Sequence, residues 1–422
     1  MSLAGLFAIL VIGLNLLALP FLALLLVAAV SAMTGSRRTA VPPEPETRFL
    51  IVIPAHDERE GIARTVESCR AQEYPAGLFG VLVIADNCTD ETAALAEAAG
   101  AEVLVRNTPD RRSKGYAIEY LIERLQESGR FDAIDALVII DADTFATPDL
   151  LRKFDAKLRE GNDWAQCYDT VANPDASWRT RLMTYAFSLV NGVVPYGLGR
   201  LGVPSPLNGN GMCLTTRGLR RVPWRAYGLV EDYEFSWTVH RAGEHVAFVP
   251  DAAVKATMLE KGGRAAAAQR QRWEAGRKDV KRRLFGEVLR DREMGLRERL
   301  VALVQLKTPP TMKLLTLLGL LTGLNVAALV ALGDPTAGPL GWILIGACAL
   351  SVATVGLYAL SPFVAFGVPW RYLGVLAYVP AYGLWKLTIG TRRKPADWVR
   401  TAREPAAGDG AARRAVAAEA AE

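Results

Sequence analysis

Three long apolar stretches lie near the two ends of this chain and enclose a charged middle section. Residues 3–33, 314–332 and 340–360 contain no charged side chain. A helix needs roughly 20 such residues to cross a hydrocarbon core about 30 Å thick. The sequence therefore predicts an N-terminal transmembrane anchor over residues 1–36 and a C-terminal membrane region over residues 312–390, with a domain of another kind between them.

Basic residues beside the apolar stretches predict the orientation of the chain. Arg37 and Arg38 follow the first stretch directly, and Lys307 and Lys313 precede the second. The turn between the second and third stretches has no Lys or Arg. Because Lys and Arg gather on the cytoplasmic side of membranes, the middle section is expected in the cytoplasm. The protein is expected to be an integral protein of a bacterial inner membrane.

A fourth apolar stretch, residues 372–389, is shorter and contains Pro380 and Lys386. If it crossed the membrane, the basic residues 392–394 would lie outside, against the charge rule. We therefore favour a segment that lies in the interface or re-enters the membrane, and a further span stays open. Residues 391–422 are rich in alanine and charge without an apolar period, which predicts a disordered cytoplasmic tail.

Cysteine, histidine and charge content narrow the choice of ligands. The five cysteines lack Cys-x-x-Cys spacing and the three histidines are dispersed, so the sequence predicts no zinc site. The net charge is +5, with basic residues gathered between residues 264 and 299. Membrane lipids or a phosphorylated substrate explain that cluster better than nucleic acid, whose usual aromatic and basic signature is missing. Residues 286–311 are interpreted as an amphipathic connector at the membrane interface.

Strand and helix patterns alternate after a proline-rich linker at residues 37–47. Fully apolar runs predict strands, and the amphipathic runs between them predict helices. The first four predicted strands are residues 49–53, 81–85, 103–105 and 137–140. Strands that are apolar on both faces and spaced by helices predict an α/β domain with a parallel sheet, here over residues 48–285.

Acidic residues follow three of these strands. Asp57 lies just past the first strand, Asp86 ends the second, and Asp141 and Asp143 end the fourth. Ligands of parallel sheets bind at the carboxyl ends of the strands, so these carboxylates should converge on one crevice. They would suit Mg²⁺ or Mn²⁺ shared with a diphosphate. A purely structural alternative exists, because Asp at this place also caps the following helix.

Two predicted helices carry further candidates. Glu231 and Asp232 open one helix, where the helix dipole alone favours acids and where a carboxylate near a metal could also accept a proton. Gln269, Arg272 and Trp273 share one face of the other helix and suit a diphosphate and a sugar ring. The alternative for the second helix is a basic stripe with an aromatic residue at the membrane surface.

Two glycine-rich segments give weaker evidence for a binding site. Residues 208–211 read Asn-Gly-Asn-Gly, which permits either the close approach of a ligand or a simple turn. Residues 197–202 match Gly-x-Gly-x-x-Gly, but Pro204 and Pro206 follow where a helix should begin. A dinucleotide site is therefore not predicted there.

In order and spacing, these motifs resemble those of the membrane-bound family 2 glycosyltransferases, the group of the cellulose, chitin, hyaluronan and poly-N-acetylglucosamine synthases and the ceramide glucosyltransferases. The resemblance covers about residues 48 to 285. It is carried by Ile53 to Glu58, Asp86 to Asp90, Lys114-Gly115, Asp141-Ala142-Asp143, Glu231-Asp232 and Gln269 to Trp273. It implies a GT-A-type, Rossmann-like and mostly parallel sheet with flanking helices, and transmembrane helices at both ends.

The resemblance also implies a role for each matching residue. Those that would hold the nucleotide sugar are Asp57, Glu58, Asp86, Lys114, Asp141 and Arg272. Asp141 and Asp143 would hold the divalent metal, Mg²⁺ or Mn²⁺. Asp232 matches the general base, with Glu231 beside it. Those that would lie by the acceptor are Asn210, Gly211, Gln269 and Trp273. Relatives have Gly-Ser or Gly-Thr where this chain has Asn-Gly-Asn-Gly, which leaves the acceptor open.

The implied reaction is an inverting transfer from a nucleotide diphosphate sugar, expected to be a UDP-sugar, to a membrane-associated glycan or glycolipid, as in polysaccharide synthesis. Proteins of export or assembly would then be partners. A second interpretation is a non-processive enzyme acting on a ceramide or polyprenyl type of lipid. Two others are an inactive membrane-tethered scaffold that binds nucleotides and a nucleotidyltransferase. The scaffold interpretation is less favoured, because an inactive domain has usually lost an acid and every acid that the mechanism needs is present.

Overall fold

The computed structural model describes residues 2–260, 264–379 and 382, without the side chains of residues 264–269. Eight strands form one sheet: β1 (Phe49–Ala55), β2 (Phe79–Asp86), β3 (Glu102–Arg106), β4 (Ala136–Ile139), β5 (Thr144–Ala146), β6 (Trp164–Val171), β7 (Met212–Thr215) and β8 (Val246–Ala256). The α-helices of the sheet domain are α2 (Ile62–Arg70), α3 (Thr92–Ala98), α4 (Lys114–Glu127), α5 (Leu150–Arg159), α6 (Trp178–Phe187), α7 (Val194–Gly199), α8 (Thr216–Arg221) and α9 (Glu231–Arg241). The remaining helices are α1 (Leu3–Thr34), α10 (Arg264–Arg290), α11 (Leu296–Lys307), α12 (Thr311–Leu332) and α13 (Pro339–Phe366).

The sheet has the order β3-β2-β1-β4-β7-β6-β8-β5. The pairs β1 with β2, β1 with β4, β2 with β3 and β6 with β8 are parallel. The short strand β7 runs antiparallel to both of its neighbours, and the edge strand β5 runs antiparallel to β8. The predicted α/β class and the mostly parallel sheet are therefore confirmed, with a central reversal at β7 that the sequence pattern did not predict.

Each face of the sheet packs against its own set of helices. Along β1, Ile51 and Ile53 face a core that is covered by α2, α3 and α5. The alternate residues Leu50 and Val52 face a second core that is covered by α4 and α9. Because successive side chains of a strand point to opposite faces, a strand buried on both sides must be apolar throughout, as β1 is.

In the part of the chain that the structure describes, three helices are long and apolar enough to cross a membrane, namely α1, α12 and α13. They correspond to the three apolar stretches of the sequence and pack against one another. Between α1 and α12 the amides of Asn15 and Asn325 exchange two hydrogen bonds, with N···O distances of 2.7 and 3.1 Å. Both side chains are buried, so this polar pair fixes the register of two otherwise apolar helices.

The sheet domain is joined to these helices by direct packing. Gly197 of α7 lies so close to α1 that a Cβ atom would come within 2.1 Å of the Ala28 carbonyl oxygen. Between α6 and α7 the chain forms a π-helical segment, Ser188–Val193, whose Gly192 abuts Phe366 of α13. Gly197, the first glycine of the motif at residues 197–202, thus serves helix packing.

The last described segment is a 3-10 helix, Trp370–Tyr378. It covers only the beginning of the stretch that we interpret as interfacial or re-entrant, since residues 380, 381 and 383–390 lie outside the described part. The tail predicted at residues 391–422 also lies outside it. The predicted connector, residues 286–311, contains the end of α10 and all of α11, and these helices pack on α9 through Val230, Trp237 and Val288.

Candidate active site

A cavity of about 2550 Å³ runs from the carboxyl ends of β1, β2 and β4 to the nearest ends of the membrane helices. Most residues singled out in the sequence line it. The lining includes Glu58, Asp86, Lys114, Asp141, Asp143, Asn210, Glu231, Asp232, Arg272 and Trp273. Asp57 and Gly211 do not belong to the lining, and the side chain of Gln269 lies outside the described residues.

The end of β2 carries a buried ion pair. Arg106 Nη1 of β3 donates to Asp86 Oδ1 at 2.5 Å, and both side chains are nearly inaccessible to solvent. Burial raises the pKa of Asp86, and the Arg106 guanidinium opposes that rise. The ion pair holds one carboxylate oxygen of Asp86 in a fixed direction at the cavity wall. Arg106 has no sequence signal of its own, apart from its position at a strand end.

The loop after β1 contains two neighbouring acids, Asp57 and Glu58, whose surroundings differ. Asp57 has a φ of +53° and accepts hydrogen bonds from the backbone N–H and hydroxyl of Thr89. These bonds lower the pKa of Asp57 although burial opposes them. Glu58 lines the cavity, while Asp57 ties the loop to the one after β2. A role for Asp57 in nucleotide binding stays a prediction.

Asp141 and Asp143 lie at the cavity wall just beyond β4. Lys114 Nζ, at the start of α4, donates to Asp141 Oδ1 and to the Gly209 carbonyl, each at 2.5 Å. Burial alone would lower the pKa of Lys114, but the carboxylates of Asp141, Glu231 and Asp232 outweigh it and the pKa is raised. Lys114 therefore remains charged and links the strand-end acids to the segment at residues 208–211.

The Asn-Gly-Asn-Gly segment, residues 208–211, holds the backbone of the strand-end acid Asp141 in place. Asn210 is buried; its amide oxygen accepts from the Asp141 N–H at 3.1 Å, and its amide nitrogen donates to Thr144 Oγ1. Gly211 has a φ of +72°, and a Cβ atom there would lie 2.2 Å from Cys167 Sγ. These contacts are structural, and direct contact of Asn210 or Gly211 with an acceptor stays a prediction.

Glu231 and Asp232 form the first turn of α9 and face the same cavity. Burial, and then the negative charge of Asp232, raises the pKa of Glu231 to about 7. Burial also raises the pKa of Asp232, against the opposing charges of Arg277 and Lys114. A carboxylate with a raised pKa is a better proton acceptor than an ordinary aspartate. The pair is therefore suited to general base chemistry at neutral pH.

The face of α10 that carries the basic motif closes the cavity opposite these acids. Arg272 is buried enough that its pKa is lowered, while the charges of Glu231 and Asp141 oppose that shift. The Arg272 guanidinium thus lies close enough to Glu231 and Asp141 to interact with their negative charges. Trp273 lines the cavity and also packs against the apolar cluster around Val230. These positions allow Arg272 to meet a diphosphate, and a sugar contact of Trp273 stays a prediction.

Sequence reasoning missed one buried acid of the site. Asp169 of β6 lines the cavity and is 8% exposed. Its carboxylate oxygens accept from Asn210 Nδ2 at 3.0 Å and from Asn191 Nδ2 at 3.1 Å. Burial, and then the charges of Asp141 and Asp143, raises its pKa well above the ordinary range. No motif surrounds Asp169, and a polar residue in a strand that is otherwise buried was the only available signal.

A second group of potential metal ligands lies outside the cavity lining. Ligand atoms of Asp57, Cys88 and Asp90 lie within 4.8 Å of one another. Asp57 and Asp90 already accept hydrogen bonds from Thr89 and Thr92, and burial raises the pKa of Cys88 to about 11. This group therefore serves to join two loops, and we assign it no metal.

The arrangement combines hard oxygen ligands, fixed cations and a proton acceptor in one cavity. Asp141 and Asp143 offer carboxylate oxygens of the kind that Mg²⁺ and Mn²⁺ prefer. Arg272 can pair with phosphate oxygens, and Asp232 with Glu231 can take a proton. Such a set suits displacement of a diphosphate by an oxygen nucleophile.

Comparison with known proteins agrees with this geometry. Residues 45–276 match the family model described as "Glycosyltransferase like family 2". A low-salt glycan biosynthesis hexosyltransferase, Agl6 of Haloferax volcanii, is 36% identical over 76 residues. That match spans 18% of this chain and only 18% of the length of that relative.

Among solved structures, a mannosyltransferase from Pyrobaculum calidifontis in complex with GDP-Man and Mn²⁺ superimposes with a TM-score of 0.52 at 18% identity. The alignment covers 91% of this chain and 99% of that one. TarS 1–349 of S. aureus in complex with UDP-GlcNAc gives a TM-score of 0.44 at 16% identity, covering 75% of this chain and 90% of that one. The first likeness shows that the fold is of the GT-A type.

Proposed function

The chain belongs to the family 2 glycosyltransferases, and on that basis we propose that it moves a sugar from a nucleotide diphosphate sugar to a membrane-associated glycan or glycolipid, with inversion at the anomeric carbon. One observation carries the proposal. A single cavity is lined by the strand-end acids, by Asp232, by Arg272 and by the ends of the membrane helices. Donor chemistry and a membrane-bound acceptor can therefore meet in one space.

The donor would lie along the carboxyl ends of β1, β2 and β4. Asp86 and Glu58 would hold the base and ribose, and Lys114 with Arg272 would face the diphosphate. A UDP-sugar is our expectation. GDP-mannose is the competing donor, because the Pyrobaculum calidifontis mannosyltransferase was solved with it.

Asp141 and Asp143 would hold Mg²⁺ or Mn²⁺. They fit such an ion because both carboxylates line the cavity and carry the hard oxygen atoms that these ions prefer. When bound, the ion neutralises charge on the leaving diphosphate.

The chain's own residues would carry the rest of the transfer. Asp232 accepts the proton of the acceptor hydroxyl, and the oxygen lone pair attacks the anomeric carbon. The bond from that carbon to the diphosphate oxygen breaks, and the nucleoside diphosphate leaves with the electron pair beside Arg272. Glu231 holds a second negative charge next to Asp232, which makes protonation of the pair more favourable.

We place the sheet domain on the cytoplasmic side of a bacterial inner membrane. Arg37 and Arg38 just after α1, with Lys307 at the end of α11 and Lys313 in the first turn of α12, support that side. Nucleotide sugars are expected there, and export or assembly proteins would act on the product from the other side. Nothing in the charge pattern favours a nucleic acid partner.

The test is nucleoside diphosphate release by the purified full-length protein in lipid nanodiscs, given a panel of UDP-sugars and GDP-mannose with Mg²⁺ or Mn²⁺. Release of nucleoside diphosphate together with sugar transfer to membrane lipid or glycan is the expected result. Release of pyrophosphate would instead indicate a nucleotidyltransferase. Donor binding without any release would indicate a scaffold.

The variant Asp232→Asn separates binding from catalysis. It should lower turnover by about 10²- to 10⁴-fold, the usual contribution of a general base, while the donor dissociation constant stays nearly unchanged. The control is Glu97→Gln, which removes a carboxylate of α3 outside the cavity lining. A lost donor affinity with unchanged turnover would contradict the assignment of Asp232.

A further inference from the structure

The end of the cavity nearest the membrane helices is apolar. Its walls include Leu24 and Leu25 of α1, Leu314 of α12 and Tyr358 of α13, with Leu189 of the π-helical segment opposite them. These side chains offer little hydrogen bonding to a carbohydrate. Burial of hydrocarbon against such a wall is favourable. We call this part of the cavity the apolar slot.

A basic corner lies where α10 meets the end of α11 and the start of α12, beside the apolar slot. The cations of the cavity lining here are Lys278, Lys281, Arg282, Lys307 and Lys313. The corner is held together by direct contacts: Lys281 Nζ donates to the carbonyls of Gln305 at 3.2 Å and Thr308 at 2.6 Å. Lys307 Nζ lies 3.9 Å from the ring centre of Phe285.

Within the described residues, none of these five cations forms an ion pair with a carboxylate. Lys281 is the most informative of them because it is the most enclosed. Burial, and then the nearby charge of Arg277, lowers the pKa of Lys281 to about 8. A partly buried ammonium group whose only acceptors are neutral carbonyls carries an uncompensated charge, and such a site is commonly completed by an anion. In the proposed donor position the diphosphate would face Arg272 and Lys114, which would leave the basic corner for a second anion.

We propose that the sugar acceptor is a lipid phosphate, with its hydrocarbon chain in the apolar slot and its phosphate against the basic corner. This inference rests on the proposed glycosyl transfer and specifies its acceptor. A neutral lipid alcohol would leave the cations uncompensated. A growing polysaccharide would meet an apolar wall where it needs hydrogen-bonding groups.

The chemistry of such a transfer balances without a further reactant. A phosphate monoester oxygen attacks the anomeric carbon with its lone pair and forms a carbon–oxygen–phosphorus link. The bond from that carbon to the donor diphosphate breaks, and the nucleoside diphosphate leaves with the electron pair. A proton remaining on the acceptor phosphate passes to Asp232. Because a monoester phosphate is mostly ionised at neutral pH, this acceptor depends less on a general base than a hydroxyl acceptor does. With it, Asp232→Asn should lower turnover by less than the roughly 10²- to 10⁴-fold expected for a hydroxyl acceptor.

The experiment uses the full-length protein in nanodiscs of neutral lipid, with the donor found active above. The probes are a polyprenyl monophosphate, the matching polyprenol and a ceramide, each at the same surface density. We expect transfer to the polyprenyl monophosphate and a product that mild acid cleaves, as expected for a glycosyl phosphate. Transfer to the polyprenol or the ceramide at an equal or higher rate would overturn the inference.

Two variants locate the phosphate. Lys313→Gln removes a cation of the corner that has no hydrogen bond among the described residues, and it should raise the KM for polyprenyl monophosphate by about tenfold, which corresponds to one lost charge-assisted hydrogen bond. Lys281→Met should do the same, although it also uncaps the end of α11. The matched control is Arg290→Gln, a cation of α10 that is exposed and outside the lining.

The outcomes separate the inference from the function on which it rests. If no nucleotide sugar yields nucleoside diphosphate with any acceptor or membrane extract, the glycosyltransferase proposal itself fails. If transfer occurs to endogenous glycan or neutral lipid and the Lys313→Gln KM equals that of Arg290→Gln, only the lipid phosphate is wrong. If both variants lose activity only in membranes rich in anionic lipid, the corner binds bulk headgroups and the inference is also overturned.

Discussion

Gly209 touches the proposed base directly and gives a sharp test of how the site is supported. It has a φ of +76°, and a Cβ atom there would lie 2.8 Å from Asp232 Oδ2. Gly243 has the same φ of +76°, but no atom lies within 4 Å of the point that its Cβ atom would occupy. The variants Gly209→Ala and Gly243→Ala therefore impose a similar backbone strain and differ in whether they push on Asp232.

The size of the effect follows from these distances. Both substitutions should cost about 1 kcal/mol of folding free energy, because an alanine is placed in the left-handed region. Ordinary contact begins near 3.4 Å, so in Gly209→Ala the Asp232 carboxylate must move by about 0.6 Å. Since a misplacement of about 1 Å can cost roughly 100-fold in rate, we expect kcat to fall by about 10- to 100-fold in Gly209→Ala and by less than about twofold in Gly243→Ala.

The assay combines three measurements on the purified variants in detergent or nanodiscs. Thermal unfolding should show a similar decrease in Tm for both. Calorimetry should show nearly unchanged donor binding. The added methyl group would point at Asp232, whereas Lys114 bonds to the Gly209 carbonyl, which the substitution keeps. Turnover should fall in Gly209→Ala alone. An equal loss of kcat in the two variants, or an unchanged kcat in Gly209→Ala, would refute the geometric argument.

Three further predictions concern charge and packing. The pKa of Glu231 is raised from 4.5 to about 7. Protonation of Glu231 therefore stabilises the fold fully below pH 4.5, and this contribution is lost as the pH rises through about 7. The variant Glu231→Gln should flatten the resulting decrease in Tm over this range. Arg106→Met leaves Asp86 buried without its partner and should lower the free energy of unfolding by about 3 kcal/mol, as measured by chemical denaturation. Asn15→Leu or Asn325→Leu alone should destabilise the helix pair by about 0.6 to 2 kcal/mol in detergent unfolding, while the double variant recovers much of that loss.

The part of the cavity to which we assign the donor was largely predictable from the sequence. An apolar strand followed by an acid is a local pattern, and parallel strands bring their carboxyl ends to one edge whatever the intervening helices do. Asp86, Asp141 and Asp143 therefore reach one cavity for a reason that is visible in the sequence. The start of α9 at Glu231 is equally local, since it follows from helix periodicity and an acidic first turn.

Strand β7 and Asp169 were not predictable in the same way. Met212–Thr215 has only four residues and lies in a segment rich in glycine and proline, so no period marks it. It is stabilised by pairing with β4 and β6, which are distant in sequence. Asp169 acquires its role from Asn191 and Asn210, one on a π-helical segment and one beside β7. Both features depend on contacts that form only when the sheet is complete.

The proposed acceptor part of the cavity differs from the proposed donor part because it is built by helices of separate segments. Lys281, the carbonyl of Thr308 and the start of α12 meet through packing of α10 on α11, and the apolar slot needs α1, α12 and α13 to converge. A basic helix face is ambiguous by itself, since a membrane surface and a bound phosphate both favour it. What separates the two is enclosure. A lysine that only faces lipid headgroups keeps its hydration, whereas Lys281 is partly buried and donates to the carbonyls of Gln305 and Thr308. This enclosure lowers the pKa of Lys281 to about 8, and a membrane-surface stripe does not require it.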